Sequence, residues 1–565
     1  MGPVFGILPG EMMSDLAGQS WAAQAWVARD DTLPAMFARS AARFADRPAI
    51  QFMGRIWLYR DLAALADKAA AGLQRLGVTH GTRVGLCLPN TPYSVIFYYA
   101  VLRAGGIVVN YNPLYVEREL AHQIKDSGTT IMVVPDLEMI CAKLRAIIGD
   151  CGLQTVIVCP MAGVLPPLKA LLYKLARRKE IARNAGDRRF MRYRDLIAGA
   201  GAPGKVAIDP EVDIAVLQYT GGTTGTPKGA MLTHRNLCAN CQQVEAHMPG
   251  VLVPGQERML AVLPFFHVFA MTAVMNFSIA IGAEMILHPR FVLADVMDAI
   301  TRLRPTLFHA VPTIYVAINA EAGKRTCDLT SLKACISGGA PLPGEVRERF
   351  ERLTGCHLVE GYGLSEASPV VCCGRLDGAA KPNSVGVPVA GTTIEIRAID
   401  DPSRRMPRGE RGEICVRGPQ VMAGYWKRPE ETAAVFHDGA LRTGDVGYVD
   451  AEGYIFITDR LKDVILCSGY NVYPRVIEEA LYQHKAVAEA VVIGVPDAYR
   501  GQAPKAFVTL APGAAATPEE LLGFLTDYVS KIEMPKAVVI RDSLPKTMIG
   551  KLSKKELIAE ELGNT

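Results

Sequence analysis

The segment Tyr219-Thr220-Gly221-Gly222-Thr223-Thr224-Gly225-Thr226-Pro227-Lys228-Gly229 gathers four glycines, four threonines and one lysine. Glycines let backbone N–H groups approach an anion, hydroxyls add neutral donors, and the ammonium adds charge. That chemistry suits a polyphosphate. The apolar run Ile214 to Leu217 just before it reads as a strand that delivers the loop at its end. A Walker A loop closes on Gly-Lys-Ser/Thr, whereas here Pro227-Lys228-Gly229 stands, so P-loop NTPase folds are disfavoured.

Further along lie Ser337-Gly338-Gly339-Ala340-Pro341, Glu360-Gly361-Tyr362-Gly363-Leu364-Ser365-Glu366 and Arg442-Thr443-Gly444-Asp445. Then come Asp459-Arg460-Leu461-Lys462-Asp463, Ser468-Gly469-Tyr470-Asn471-Val472-Tyr473-Pro474 and Leu544-Pro545-Lys546-Thr547-Met548-Ile549-Gly550-Lys551-Leu552. Taken singly, each has a plainer reading. A Glu after a glycine-rich turn is usually a solvated acid, Thr-Gly-Asp is a common turn, and Gly-Lys carries no information. Taken in this order, they resemble the adenylate-forming superfamily of acyl-CoA synthetases, luciferases and peptide-synthetase adenylation domains. Asn110-Tyr111-Asn112-Pro113-Leu114-Tyr115 and Gly229-Ala230-Met231-Leu232-Thr233-His234-Arg235-Asn236 are similar to the bacterial long-chain fatty-acid–CoA ligases in particular. The resemblance runs from about residue 30 to about residue 560.

The resemblance implies roles residue by residue. ATP and CoA would be co-substrates, with Mg²⁺ as cofactor. Thr220, Gly221, Gly222, Thr223, Thr224, Gly225 and Lys228 would cradle the phosphates. Gly338 and Gly339 would line the adenine pocket with their backbone, and Glu360, Gly361, Tyr362 and Gly363 would continue that wall, Tyr362 stacking on the base. Ser365 stands where the family usually has Thr; its hydroxyl keeps the phosphate contact. Glu366 would hold Mg²⁺ with Thr220, which suits a hard cation that takes few protein oxygens beside phosphate. Asp445 would accept from both ribose hydroxyls, a role for an acceptor-only group. Arg460 would add a ribose or phosphate contact, and Lys462 sits at the family's hinge. Gly469 and Tyr470 would line the pantetheine tunnel. Lys551 would reach the α-phosphate and the fatty carboxylate. Pro264-Phe265-Phe266-His267 resembles the mouth of the acyl pocket, with His267 either hydrogen-bonding near the carboxylate or serving as an ordinary core histidine. Phe265, Phe266, Val268, Met271, Met275 and Phe277 are candidates for the acyl tunnel.

The elements that must hold these residues follow from pattern. Arg83 to Leu88 reads as a buried strand, Thr91 as an N-cap with Pro92 in the first turn, and Gly105-Gly106 as the helix stop. Ile107 to Val109, Glu117 to Lys125 and Thr130 to Val134 continue strand, helix, strand. This βαβ order predicts an α/β fold with a largely parallel sheet. From about 391 to 459, short strands at Thr393–Arg397, Glu413–Val416 and Gly453–Ile457 predict a small β subdomain. The last 105 residues read as a compact α+β unit, with Thr517-Pro518-Glu519-Glu520 as a capping box. A large N-terminal domain over 1–459 and a small mobile domain over 460–565 are the expected division.

Composition sets bounds. The chain has 565 residues, 50% hydrophobic and 21% charged, with a net charge of +4, so bulk charge indicates no nucleic-acid partner. The 13 cysteines are scattered, and the N-terminus shows no signal-peptide pattern, which together suggest reduced thiols in the cytoplasm. Cys238-Ala-Asn-Cys241 lacks further zinc ligands and reads as helix packing. Met259 to Ala283 carries no Asp, Glu, Lys or Arg. A membrane helix is one reading; Pro264, His267, Asn276 and Ser278 favour a buried strand–helix pair.

Between Lys169 and Arg194 ten Lys or Arg face two acids, beside a stripe of Leu168, Leu171, Leu172, Leu175 and Ile181. That segment is either a peripheral contact with the anionic inner face of the cytoplasmic membrane or a solvated basic face. The oligomeric state stays open, a homodimer included. The expected activity, implied by the resemblance, is fatty acid plus ATP plus CoA giving acyl-CoA, AMP and pyrophosphate. Alternatives are an acyl-AMP ligase loading a carrier protein, a CoA ligase for aromatic or dicarboxylic acids, and a non-catalytic fatty-acid trap.

Overall fold

The computed structural model describes residues 31–183, 186–220, 227–322, 324, 327–468, 470–497, 499–547 and 551–563. Gly221, Gly222, Thr223, Thr224 and Gly225 of the glycine–threonine loop, and Gly469, lie outside these residues.

Two large sheets carry most of the chain. In one, Phe190–Arg192, Thr155–Cys159, Ile131–Pro135, Arg83–Leu86, Ile107–Asn110, Ile214–Thr220 and Lys228–Thr233 lie side by side, all parallel except the last pair. The strand after the phosphate-type loop thus folds back on the strand before it, with Thr220 paired to Lys228. The other sheet has nine strands. Its centre, from His357–Gly363 through Ala334–Gly338, Leu307–Ala310, Arg258–Ala261 and Glu284–Leu287 to Pro48–Phe52, is parallel, and its edges are antiparallel. The parallel reading from βαβ order is correct.

One apolar core joins the two sheets. It includes Val84, Val108 and Val133 from the first and Ile50, Met259 and Leu307 from the second. The helix Pro92–Arg103 runs through it, buried from Pro92 to Leu102. Its run of Val95, Ile96, Phe97, Tyr98 and Tyr99 has no polar face, as a helix covered on all sides requires. Pro92 opens it with the missing N–H where none is needed.

The 25-residue uncharged stretch is a strand and a helix. Arg258–Ala261 is a central strand, and Val268 to Ile281 is a buried helix whose middle, Met271–Asn276, is wound as a π-helix. Among the described residues no helix is long and apolar enough to cross a membrane. Cys238 and Cys241 are buried in the helix His234–Ala246, as packing residues.

The β subdomain is present, with two strands more than its pattern revealed. Thr393–Arg397, Gly412–Arg417, Ala440–Val449, Phe436–His437 and Ile455–Arg460 form an antiparallel sheet. The ten-residue strand Ala440–Val449 contains Arg442-Thr443-Gly444-Asp445, a sequence that reads as a turn. After residue 460 a separate five-stranded sheet forms around Ile465–Cys467, Val487–Asp497 and Gly501–Leu510, with its own core of Ile477, Leu481, Val492, Val508 and Leu521. Its capping box is made as read: Glu520 N–H donates to Thr517 Oγ1 at 3.2 Å.

Candidate active site

A cavity of about 780 Å³ opens where the ends of the two large sheets meet the β subdomain and the last 105 residues. Four stretches of wall converge on it.

The first is the strand pair Ile214–Thr220 and Lys228–Thr233. Thr220 and Lys228 line the cavity at the mouth of the loop. Thr220 Oγ1 donates to the Lys228 carbonyl at 3.5 Å. The Lys228 ammonium pairs with Glu431 and lies 5.4 Å from the centre of the Tyr425 ring. Residues 423–426 run along this strand like an added one: Met231 N–H donates to the Gly424 carbonyl at 2.9 Å and Trp426 N–H to the Gly229 carbonyl at 2.8 Å. The strap is anchored at its far end by Asp126, whose carboxylate takes Arg428 at 2.9 Å and the Tyr219 hydroxyl at 2.5 Å.

The second stretch comes from the ends of Ala334–Gly338 and His357–Gly363. Gly338, Gly339, Gly361, Tyr362, Gly363, Ser365 and Glu366 all face the cavity. Glu366 Oε1 accepts the Tyr425 hydroxyl at 2.8 Å, so the strap that adjoins Lys228 also holds this carboxylate. Glu360 departs from expectation. It does not line the cavity; it accepts Leu342 N–H at 3.2 Å and stands in the field of Arg475. Burial, only partly offset by Arg475, raises its pKa to about 7. Its side chain is directed toward Arg475 on the helix Pro474–Tyr482.

The third stretch is the strand Ala440–Val449. Asp445, with 5% of its side chain exposed, accepts the Tyr362 hydroxyl at 2.7 Å and Arg460 Nε at 3.0 Å. Gly444 lies at φ +72°, which frees the strand to turn its next carboxylate inward. Behind it, Glu413 takes Arg442 at 2.8 Å and Gly444 N–H at 3.1 Å, which ties the segment to the neighbouring strand.

The fourth comes from the C-terminal unit. Arg460, Lys462 and Lys551 line the same cavity. The Lys551 stem lies over Gly339, where a Cβ would come within 2.4 Å of its Cε; Gly339, at φ +85°, has none. Burial first, then repulsion from Arg460, lowers the Lys551 pKa to about 8, with Asp445 pulling the other way. Lys462 is likewise lowered, by burial first. Tyr470, in contrast, is 61% exposed and outside the cavity lining.

Part of the remaining lining is apolar. Val244, Met248, Leu263, Val268, Ala273 and Val311 continue the cavity away from the charged wall. Phe266 and Val268 line it, but Phe265, Met271, Met275 and Phe277 are packed into the core instead. The turn at its mouth is held by two side chains that the motifs did not single out. Asn90 accepts Phe265 N–H at 2.8 Å, and Gln218 donates to the Phe266 carbonyl at 3.0 Å. His267 caps the following helix, its Nδ1 accepting Phe269 N–H at 3.4 Å. Burial and the nearby Lys551 lower its pKa to about 3, so the ring is neutral at pH 7 and carries its proton on Nε2.

Among the described residues no three His, Cys, Asp or Glu side chains converge as metal ligands. A cation here would have Glu366 and the Thr220 hydroxyl from the protein and would need its remaining oxygens from a ligand. This donor set fits Mg²⁺ bound with a polyphosphate.

A cavity with one acidic, diol-sized acceptor, a cluster of cations and an apolar extension is suited to a nucleotide joined to an apolar acid. Residues 37–426 match the family model of AMP-binding enzymes, and residues 476–551 match that of the AMP-binding enzyme C-terminal domain. The chain belongs to the AMP-binding enzyme family. Among its relatives, the long-chain-fatty-acid–CoA ligase of Bacillus subtilis (strain 168) is 45% identical, across 94% of this chain and 95% of that one. The long-chain-fatty-acid–CoA ligase of Escherichia coli O6:H1 is 38% identical, across 95% of each. The ATP-bound MatB of Rhodopseudomonas palustris superposes with a TM-score of 0.81 at 29% identity, covering 94% of this chain and 99% of that one. As an AMP-binding enzyme of this architecture, the chain is an α/β protein with a large sheet-rich N-terminal part and a smaller C-terminal one.

Proposed function

We propose that this AMP-binding enzyme is a fatty-acid–CoA ligase that works through an acyl-adenylate. The observation that carries the reading is the single cavity in which an apolar lining meets Asp445, Glu366, Lys228 and Lys551. A fatty carboxylate laid in the apolar part has its head at the charged wall. There it attacks the α-phosphorus of ATP and pyrophosphate leaves, a step that asks for alignment and charge stabilisation more than for covalent help.

Roles follow from position. Asp445 accepts the ribose diol once Tyr362 and Arg460 share it. Tyr362 and the backbone of Gly338, Gly339, Gly361 and Gly363 bound the base. Lys228, released from Glu431, and Ser365 meet the phosphates beside the glycine–threonine loop. Glu366 and Thr220 would hold Mg²⁺, and that charge would favour departure of the pyrophosphate. Neutral His267 donates from Nε2 toward the fatty carboxylate. Lys551 stabilises the charge that builds around the α-phosphate. The CoA thiol then attacks the mixed anhydride, and AMP leaves. For that half-reaction residues 460–565 turn about Lys462 and bring Gly469 and Tyr470 to the cavity; the exposed Tyr470 is free to make that move. The apolar part of the lining disfavours a dicarboxylic acid: its described residues include no Lys or Arg for a second carboxylate. Such a substrate partitions into lipid, so the protein works in the cytoplasm beside the membrane.

The test is pyrophosphate release with palmitate, ATP and Mg²⁺, with and without CoA. Turnover that continues only with CoA, and forms palmitoyl-CoA, is expected. Steady palmitoyl-adenylate formation with no thioester when CoA is added would make the protein an acyl-AMP ligase. Turnover with an aromatic acid and none with palmitate would move the substrate class.

A further inference from the structure

We propose that the helix Pro167–Ala176 and the hairpin tip at Met53–Ile56 form one surface that docks on an anionic lipid bilayer. Leu168, Leu171, Leu172 and Leu175 recur at helical spacing, so they share one face, and they are 70%, 56%, 55% and 68% exposed. No residue of this helix is buried. It is held to the molecule from behind, where Ala170 and Tyr173 pack on the main core. Folding has therefore oriented the helix with its leucines outward, opposite to an amphipathic helix that serves a core.

The hairpin extends the same patch. Lys169 Nζ donates to the Met53 carbonyl at 2.9 Å, and Gly54 faces Pro166 and Lys169. Beside that link, Met53 and Ile56 are 49% and 52% exposed. Two elements from distant parts of the chain thus present exposed apolar side chains beside one another, the kind of patch that marks an interaction site.

Charge selects the partner. Lys174, Arg177, Arg178 and Lys179 are exposed at the C-terminal end of the helix, and the acid closest in sequence, Glu180, is paired with Arg177 at 2.6 Å. A second copy of this chain would bring two such cationic runs face to face. An apolar stripe rimmed by cations fits instead the boundary between anionic headgroups and acyl chains. The motive rests on the fatty-acid reading, because a substrate dissolved in lipid is best met at the bilayer. The surface itself can be tested without catalysis.

The experiment uses the full chain and co-sedimentation at low salt with two kinds of vesicle, phosphatidylcholine alone and phosphatidylcholine with about 30% phosphatidylglycerol. Binding to the anionic vesicles and little to the neutral ones is expected. Two variants, Leu171→Gln with Leu172→Gln and Leu175→Gln, and Arg177→Gln with Arg178→Gln and Lys179→Gln, should each lower the bound fraction about fivefold or more. Pyrophosphate release with octanoate in lipid-free buffer should be unchanged in both, which shows that fold and cavity are intact. Unchanged binding in both variants overturns the proposal, and so does equal binding of wild-type protein to the two vesicles. Loss of a dimer in sedimentation velocity on the leucine substitutions would assign the patch to a second copy and overturn it as well. Absence of octanoate and palmitate turnover in the wild type would reject the fatty-acid reading and leave the vesicle result to stand on its own.

Discussion

Asp445 and Lys551 face the same cavity, yet one is tied down and the other is exposed to strain. Asp445 sits on a strand, accepts from Tyr362 and Arg460, and is backed by the Glu413–Arg442 pair. Among the described residues, Lys551 is held by its backbone, which exchanges hydrogen bonds with Thr547 at 3.1 and 2.6 Å, and by the packing of its stem on Gly339, while its ammonium is partly desolvated and repelled by Arg460. A preorganised acceptor binds a ground state that does not change, such as a ribose. A poorly solvated cation gains most when negative charge builds up beside it, and it can leave when that charge is gone. The fixed wall and the C-terminal contribution therefore divide binding from catalysis.

The largest expected effect breaks that division at its catalytic side. Lys551→Ala should lower adenylation about a hundredfold or more, roughly 3 kcal/mol, in a single-turnover pyrophosphate assay. Given synthetic acyl-adenylate and CoA, the same variant should form thioester at close to the wild-type rate; equal loss of both half-reactions would mean one fixed site. The pH profile sharpens the same point. A lysine whose pKa is lowered to about 8 loses its charge as pH rises through that value, so kcat/KM for adenylation should fall above pH about 8. Lys551→Arg should move that fall upward.

Next in size is Glu366→Gln. It keeps an acceptor for the Tyr425 hydroxyl but lacks the charge that a hard cation needs, so turnover should drop by about 2–3 kcal/mol, with the Mg²⁺ requirement shifted to higher concentration. Normal turnover at ordinary Mg²⁺ would assign the metal elsewhere. Asp445→Asn should raise the KM for ATP by about 2 kcal/mol, some thirtyfold, and spare kcat, because it weakens uniform binding. A fall in kcat with KM unchanged would put the wall in the chemistry and erase the division. The smallest effect is Tyr425→Phe, about 1 kcal/mol, from loosening Glu366; an isothermal titration of Mg·ATP should register it.

Much of the fold was legible because its signals are local. Thr91-Pro92 opens its helix, and Thr393–Arg397 is a strand at the residues that its alternation marks. The strand Ala440–Val449 was not legible, because Gly444 and Asp445 give it turn chemistry and one of its partners, Gly412–Arg417, lies about 30 residues away. At the site, Thr220, Gly338, Tyr362 and Arg460 converge since each lies at the end of a strand, while Asp445 comes from mid-strand. The direction of the Glu360 side chain was not legible, because a motif carries no direction; in the folded strand it meets Leu342 and Arg475. Tyr425, Asn90 and Gln218 act on residues 59, 175 and 48 positions away, and no spacing rule reaches that far. Gly424-Tyr425-Trp426 ahead of Pro429 was the only trace of the strap.

That strap has an evolutionary consequence. Tyr425 carries Glu366 on its hydroxyl and Lys228 against its ring, and its backbone neighbours are bonded to the strand that bears Lys228. The three positions are coupled through one side chain. A substitution at 425 changes the fitness of every alternative at 366 and 228, so variation there should arrive in sets, and paths between homologues that alter one of the three first should pass through a poor intermediate.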